Sequence, residues 1–138
     1  MYKRQTLTSP LTTGSDAAAS GGTYIMVTAG NNSQGAAPST GSSTLTFTAP
    51  AAGTYRLWAR ILTPTDGDDS YWMRFDSGSW ATWDMPEHTT WTWSLRSTTY
   101  ALGAGTHTLQ LAYREDGAKI DKVLLTTSTT YTPTGLGD

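Results

Sequence analysis

The sequence is made of short runs in which apolar and polar residues alternate, and this alternation constrains the fold more than any other feature. Residues 55–61 give the clearest run, with Tyr55, Leu57 and Ile61 in phase and Arg56 and Trp58 out of phase. Successive side chains of a β-strand point to opposite faces, so such runs predict strands buried on one side. Residue types that favour turns (Gly, Pro, Asp and Ser) separate roughly eight runs of this kind.

These runs predict an all-β fold in which two antiparallel sheets pack face to face as a β-sandwich of jelly-roll type. An immunoglobulin-like sandwich agrees with the periodicity nearly as well. The chain has 138 residues, the size of one domain. We place the folded domain at residues 1–128 and predict a linker-like tail, rich in Thr, Pro and Gly, at residues 129–138.

The composition excludes several classes of partner. Charged residues make up 14% of the chain and the net charge is −2, so there is no basic surface for nucleic acid or anionic lipid. No apolar run approaches the roughly 18 residues of a membrane-spanning segment. The chain has no cysteine, which excludes disulfides and thiolate metal sites. We therefore expect neither nucleic acid nor membrane among the partners.

All six tryptophans fall between Trp58 and Trp93. Sugars present faces rich in C–H groups that pack on aromatic planes, and tryptophan offers the largest plane with a polar edge. Trp80 and Trp83 lie in a polar segment predicted to be a loop, and Trp91 lies at its end. Each of these three either contacts a ligand or packs on the sandwich, whereas Trp93 begins an alternating strand and is expected in the core.

Four charged residues are predicted to act together. Arg60, Asp69, Arg114 and Glu115 lie in or beside predicted strand ends. Sugar hydroxyls both donate and accept hydrogen bonds, so charged planar groups are suitable partners for them. The alternative is that the four residues form an ion-pair network that holds loops in place.

Five motifs, taken in order, resemble those of carbohydrate-binding modules of families 6 and 35. They are the segments AASGGTYI at 18–25, AGTYRL at 52–57, WTW at 91–93, GTHTL at 105–109 and KIDKV at 119–123. The resemblance extends over about residues 5–127. It implies a jelly roll that binds glycans at loops at one end of the sandwich, and in some members on the concave face of one sheet.

The resemblance also assigns binding residues. Tyr24 and Trp91 match the two aromatic rings that enclose a sugar in these families. The asparagine at the base of that site is replaced here by Lys119, which donates hydrogen bonds but cannot accept them. The positive charge of this lysine favours a uronate or a sulfated sugar, so we expect an acidic glycan.

A structural calcium ion is the one cofactor that the resemblance implies. Its ligands in these families are an amino-terminal Glu-x-Glu and the aspartate that corresponds to Asp121. The matching amino-terminal stretch here is Lys3-Arg4-Gln5. Calcium prefers several carboxylate oxygens, and two cations beside the site oppose its binding.

These observations predict a non-catalytic, extracellular carbohydrate-binding module, carried by a larger secreted enzyme that it targets to a polysaccharide. One alternative is a structural or protein-interaction sandwich without glycan binding. Another is a small polysaccharide lyase or hydrolase. We assign no catalytic residue, because aspartates such as Asp66 and Asp68 lie in a glycine-containing segment typical of turns.

Overall fold

The structure is a computed structural model that describes residues 4–137. Within this range ten strands form two five-stranded sheets. The strands are β1 (Arg4–Leu7), β2 (Leu11–Ser15), β3 (Thr23–Val27), β4 (Ser42–Ala49), β5 (Gly53–Thr63), β6 (Ser70–Phe75), β7 (Ala81–Asp84), β8 (His88–Leu102), β9 (Gly105–Tyr113) and β10 (Lys119–Thr126). A short 3-10 turn at Ser20–Gly22 precedes β3.

The first sheet has the strand order β1-β4-β9-β6-β7, and the second sheet has the order β2-β3-β10-β5-β8. Every pair of neighbouring strands is antiparallel. The last strand, β10, therefore lies at the centre of the second sheet, between strands from the beginning and the middle of the chain. The predicted all-β sandwich of two antiparallel sheets is confirmed.

The core lies between the sheets and is built from the in-phase residues of the alternating runs. Leu57 and Ile61 of β5 are 0% exposed, and Met73 of β6 and Leu109 and Leu111 of β9 are each 1% exposed. Apolar burial contributes about 25 cal/mol per Å² removed from water. The inward faces of the two sheets therefore hold the sandwich together and leave the outward faces for other roles.

The prediction of a loop over residues 78–90 is wrong in part. β7 occupies Ala81–Asp84 at one edge of the first sheet, and β8 begins at His88 at one edge of the second sheet. β7 is four residues long, and its one buried residue is Trp83. A strand with a single buried residue is too short to produce a recognisable alternation.

The segment predicted as a linker contacts the domain in the structure. Its described residues, 129–137, lie on the second sheet, where Arg56 Nη1 donates to Thr129 O at 2.7 Å and Trp93 Nε1 donates to Gly135 O at 3.1 Å. Pro133, in the same segment, is buried. A domain boundary at residue 128 stays a prediction.

Candidate functional site

Three residues singled out by the resemblance meet on the outer face of the second sheet, which is turned away from the first sheet. Ile25 in β3 and Ile120 in β10 are buried in the core, so their neighbours Tyr24 and Lys119 point outward. β8 brings Trp91 to the same face, with its ring centroid 5.5 Å from that of Tyr24. We call Tyr24, Trp91 and Lys119 the aromatic site.

The two rings of the aromatic site contact each other. Their planes are inclined at 52° with centroids 5.5 Å apart. A sugar held between two parallel rings needs about 7 Å between their planes, because each contact takes roughly 3.5–4.0 Å. Tyr24 and Trp91 therefore form one tilted aromatic surface, not a slot that encloses a sugar ring.

Cations lie over both rings. Lys119 Nζ is 5.2 Å from the centroid of Tyr24, and Arg60 Cζ is 5.6 Å from that of Trp91. Such contacts stabilise a cation by about 0.5–1 kcal/mol when they are exposed. Within residues 4–137, no carboxylate lies within salt-bridge distance of the Lys119 ammonium group. The charge of Lys119 is close enough to Asp16 to help lower the pKa of that carboxyl, but it forms no ion pair and can meet an anionic ligand.

Asp16 orients Trp91, a role that sequence reasoning missed. Its Oδ2 accepts a hydrogen bond from Trp91 Nε1 at 2.9 Å, and its Oδ1 accepts one from Ala18 N at 2.9 Å. These two bonds, that of Ala18 first, hold the pKa of Asp16 below its usual value. An aspartate followed by small residues often forms such an Asx turn, and this was the signal available in the sequence.

Tyr24 is supported from below by a glycine. Gly14 of β2 is its direct partner across the strand pair. A Cβ atom at position 14 would lie 2.3 Å from Tyr24 Cζ, well inside van der Waals contact. The ring of Tyr24 therefore lies over the backbone of β2, and only glycine leaves room for it there.

Arg60 is bound to the protein and does not extend freely toward a ligand. It is 9% exposed, and its Nη1 donates to Asp121 Oδ2 at 2.5 Å and to Ala18 O at 3.0 Å. Ser20 N donates to the same carboxylate oxygen at 2.7 Å. Together these bonds fasten the loop at residues 16–22 to β5 and β10. The predicted role of Arg60 as a direct ligand contact is replaced by one of support beneath Trp91.

The residues around Asp121 do not fit a calcium ion. The Asp121 side chain is 0% exposed, and the positive charge that it meets is Arg60. Its Oδ1 is buried without a hydrogen-bond partner among the described residues, but calcium takes six to eight oxygen ligands. Residues 4–137 contain no group of three acidic, histidine or cysteine side chains that could hold a metal. Lys3 lies outside the described residues, and the Gln5 amide donates to Ser43 Oγ at 2.8 Å.

The other charged residues form a separate, buried network, which we call the carboxylate cluster (Asp69, Ser70, Arg114 and Glu115). Glu115 is 5% exposed and accepts hydrogen bonds from Ser70 Oγ at 2.5 Å and from Gln34 Nε2 at 2.8 Å. Arg114 Nη1 donates to Ser70 Oγ at 2.6 Å. The cluster joins the loop after β3 to the beginning of β6 and the end of β9. These hydrogen bonds connect the loops, which favours the second of the two roles considered above.

Two carboxyl groups of this cluster have opposite shifts. Burial, and next the charge of Asp84, raise the pKa of Asp69 to about 7. Burial also acts to raise the pKa of Glu115, but its hydrogen bonds from Ser70 and Asp69 and the charge of Arg114 outweigh that effect and lower it. Glu115 is therefore the ionised member of the pair near neutral pH.

Trp80 and Trp83 lie on the first sheet, away from the aromatic site. Trp83 is 2% exposed and belongs to the hydrophobic core, so it is a packing residue and not a ligand contact. Trp80 is partly buried, with the Arg74 guanidinium 4.3 Å from its ring centroid. The structure does not bring these two tryptophans together with Tyr24 and Trp91.

Solved structures share this fold. No family model and no curated protein matches the chain. A family 35 carbohydrate-binding module from Clostridium thermocellum matches 88% of this chain and 90% of its own, with a TM-score of 0.63 and 22% identity. The C-terminal family 6 module of a marine laminarinase from Zobellia galactanivorans matches 91% of this chain and 99% of its own, with a TM-score of 0.58 and 17% identity.

A β-(1,4)-mannanase with a family 35 module, from Podospora anserina, matches over 95% of this chain with a TM-score of 0.68 and 16% identity. The match covers 29% of that enzyme. At these identities the comparisons establish the fold, which is the jelly-roll sandwich found in carbohydrate-binding modules of families 6 and 35. The predicted resemblance to these two families is confirmed at this level. Residues 4–137 contain no helix long and apolar enough to span a membrane.

Proposed function

We propose that this chain is a non-catalytic carbohydrate-binding module and that its aromatic site binds an acidic oligosaccharide or polysaccharide. The observation that carries the proposal is the Lys119 ammonium group, which has no carboxylate partner in residues 4–137 and lies beside Tyr24 and Trp91. Aromatic rings pack on the C–H faces of a sugar. A lysine beside them binds a carboxylate or sulfate group.

The tilted ring pair fits a sugar that stacks on one surface. Asp16 holds the Trp91 indole through its N–H, which leaves the ring plane to meet the ligand. Lys119 must leave the face of Tyr24 to reach an anion, and it gives up only a weak exposed contact to do so. An acidic sugar is favoured over a neutral one because it replaces that contact with a charge-assisted hydrogen bond.

The absence of catalysis is supported by the positions of the acidic residues. Asp69 and Glu115 are 6% and 5% exposed, and Glu115 is fully engaged in the carboxylate cluster. Glycoside hydrolysis needs two carboxyl groups facing a bound glycosidic bond. The aromatic site offers Asp16, which holds Trp91, and the buried Asp121.

We further propose that the module belongs to a larger, secreted polysaccharide-degrading enzyme. The match covers 29% of the mannanase, so that enzyme is more than three times as long as the segment that matches this chain. A linked module raises the effective concentration of a catalytic domain at its substrate. An extracellular location follows from a polysaccharide substrate outside the cell.

Titration calorimetry with digalacturonic acid, hexagalacturonic acid and neutral mannohexaose tests the proposal. We expect galacturonate binding on the order of 10–1000 μM. Trp91→Ala should weaken it by about tenfold, whereas the control Trp80→Ala on the first sheet should not change it. Lys119→Asn should reduce the preference for the acidic sugar over mannohexaose.

The outcomes separate the possible functions. Binding of mannohexaose alone, unchanged by Lys119→Asn, would contradict the acidic specificity. Absence of binding to any polysaccharide in affinity electrophoresis would leave a structural or protein-interaction sandwich. Cleavage products from wild-type protein would contradict the non-catalytic assignment.

A further inference from the structure

The tail, of which residues 129–137 are described, covers part of the same outer face that carries the aromatic site. Three hydrogen bonds cross from side chains of the second sheet to main-chain carbonyl groups of the tail. They are Arg56 Nη1 to Thr129 O at 2.7 Å, Trp93 Nε1 to Gly135 O at 3.1 Å and Lys122 Nζ to Leu136 O at 2.6 Å. The sheet therefore offers cationic and indole donors, and the tail groups that accept these three hydrogen bonds are main-chain carbonyl groups.

One donor beneath the tail is left unpaired. Trp58 lies on the outer face of β5, between Arg56 and Arg60, yet it is 8% exposed. Its indole Nε1 is buried and has no hydrogen-bond partner among the described residues. A buried donor without an acceptor costs free energy that the surrounding packing must offset. Trp58 lies on the face that the tail crosses, and no described tail group accepts its hydrogen bond.

The covered surface continues directly from the aromatic site. Trp93 lies two residues after Trp91 on β8, so both side chains point to the outer face, about 7 Å apart along the strand. Arg60, beneath Trp91, is the register partner of both Trp93 and Lys122. A ligand that extends from Trp91 along β8 therefore meets the tail after about one sugar unit.

We propose that the tail occupies the second half of the binding face and that a long acidic glycan displaces it. In the displaced state, glycan oxygens replace the tail carbonyl groups on Arg56, Trp93 and Lys122, and one of them accepts the hydrogen bond of Trp58. A carboxylate is a stronger acceptor than the neutral carbonyl group of Thr129 for the guanidinium of Arg56, which favours the exchange. This inference rests on the proposed function of the aromatic site, and it makes the tail the element that selects ligand length.

Hydrogen–deuterium exchange on the full chain tests displacement without any substitution. We expect saturating hexagalacturonic acid to speed exchange of the amides in residues 129–137, including that of Gly137, which donates to Thr134 O at 2.8 Å. Digalacturonic acid should protect the aromatic site but leave the tail unchanged. Tail exchange that is unchanged or slowed by the bound hexamer would overturn the inference. If digalacturonic acid did not bind at all, the proposed function would fail instead.

A matched pair of glycine variants tests the same inference from the side of affinity. Gly137 has φ +80°, and a Cβ atom there would lie 2.5 Å from Trp93 Cζ2. Gly135 has φ +51° and open space around it. Gly137→Ala should release this part of the tail and tighten hexagalacturonate binding by about fivefold with no change for the dimer. Gly135→Ala imposes the same kind of backbone strain without the clash, so its gain should be smaller. The displacement of the tail would be contradicted if hydrogen–deuterium exchange showed the tail released in Gly137→Ala while the two variants bound the hexamer with equal affinity.

Two further variants complete the design. If Gly137→Ala leaves the tail in place, Pro133→Asp puts a charge at a buried position of the tail and serves as the released form. Trp58→Phe keeps the packing but removes the indole N–H. Combined with the variant that releases the tail, Trp58→Phe should cancel most of the gain in hexamer affinity. In the otherwise wild-type chain, Trp58→Phe should not affect dimer binding. An undiminished gain in the Trp58→Phe form would show that Trp58 does not contact the ligand.

Discussion

The aromatic site and the carboxylate cluster both contain charged side chains, but they differ in how these charges are satisfied. In the cluster, Glu115 is 5% exposed and receives hydrogen bonds from Ser70 and Gln34. In the aromatic site, Lys119 is partly exposed, lies over the ring of Tyr24 and forms no ion pair within residues 4–137. Arg114 of the cluster also lies over an aromatic ring, 5.8 Å from the centroid of Trp72. Charge beside an aromatic ring is therefore not by itself a sign of binding. Burial together with a full set of partners marks the structural region, and an unsatisfied, accessible charge marks the candidate binding region.

The comparison predicts its largest effect on stability at Glu115. Glu115→Ala removes the acceptor of Ser70, Gln34 and Arg114 inside the protein and should lower the free energy of unfolding by about 3 kcal/mol. Urea denaturation followed by tryptophan fluorescence measures this change. The control Glu87→Ala, at an exposed position, should change stability by less than about 0.5 kcal/mol. A similar loss of unfolding free energy in the two variants would contradict the structural role of the carboxylate cluster.

A pair of glycines tests whether the two regions can be impaired separately. A Cβ at Gly14 would lie 2.3 Å from Tyr24 Cζ, and one at Gly117, where φ is +87°, would lie 2.4 Å from Asp68 Oδ1. Gly14→Ala should displace the Tyr24 ring and weaken galacturonate binding by about fivefold. Gly117→Ala should lower stability by about 1–2 kcal/mol and leave binding by the folded protein intact. The comparison would break if Gly117→Ala weakened binding as much as Gly14→Ala.

The smallest effect is the part of the pH dependence of stability that Asp69 of the carboxylate cluster contributes. The pKa of Asp69 is raised from 3.8 to about 7, so the folded state holds this proton more tightly than the unfolded state. Its contribution to stability is complete below about pH 4 and is lost as the pH rises toward 7. Asp69→Asn should remove this loss, and it should make the variant more stable than wild type at pH 8 by on the order of 1 kcal/mol. Unfolding curves of both proteins at pH 5 and pH 8 check the sign of this effect. A wild-type protein that is more stable than Asp69→Asn at pH 8 would contradict the prediction.

The alternation of apolar residues and the order of the motifs were sufficient to predict the fold and part of the candidate site. The in-phase residues Leu57 and Ile61 are buried as predicted, because the period of two follows directly from strand geometry. The motif matches at Tyr24, Trp91 and Lys119 predicted three residues that the structure brings to one face. Such matches carry information about distant contacts that periodicity does not contain.

Other features depend on contacts between residues far apart in the chain, and local patterns do not reveal them. Trp83 is surrounded by polar neighbours in sequence, yet β7 pairs with β6 and turns it into the core. The pairing of Arg60 with Asp121 joins residues 61 positions apart. The direction of a charged side chain on an outer face is set by loops that cross it, such as that at residues 16–22.

The strand order of the second sheet also governs when the aromatic site can exist. Tyr24 lies on β3 and Trp91 on β8, and β10 and β5 lie between these strands. β10 is the last strand of the described chain, so the two rings cannot meet until residues 119–126 have been synthesised and inserted. Synthesis proceeds at about 5–20 residues per second from the amino terminus. The emerging chain therefore has no complete aromatic site until β10 has been made. If the proposed function holds, glycan binding therefore requires that the sandwich has already closed.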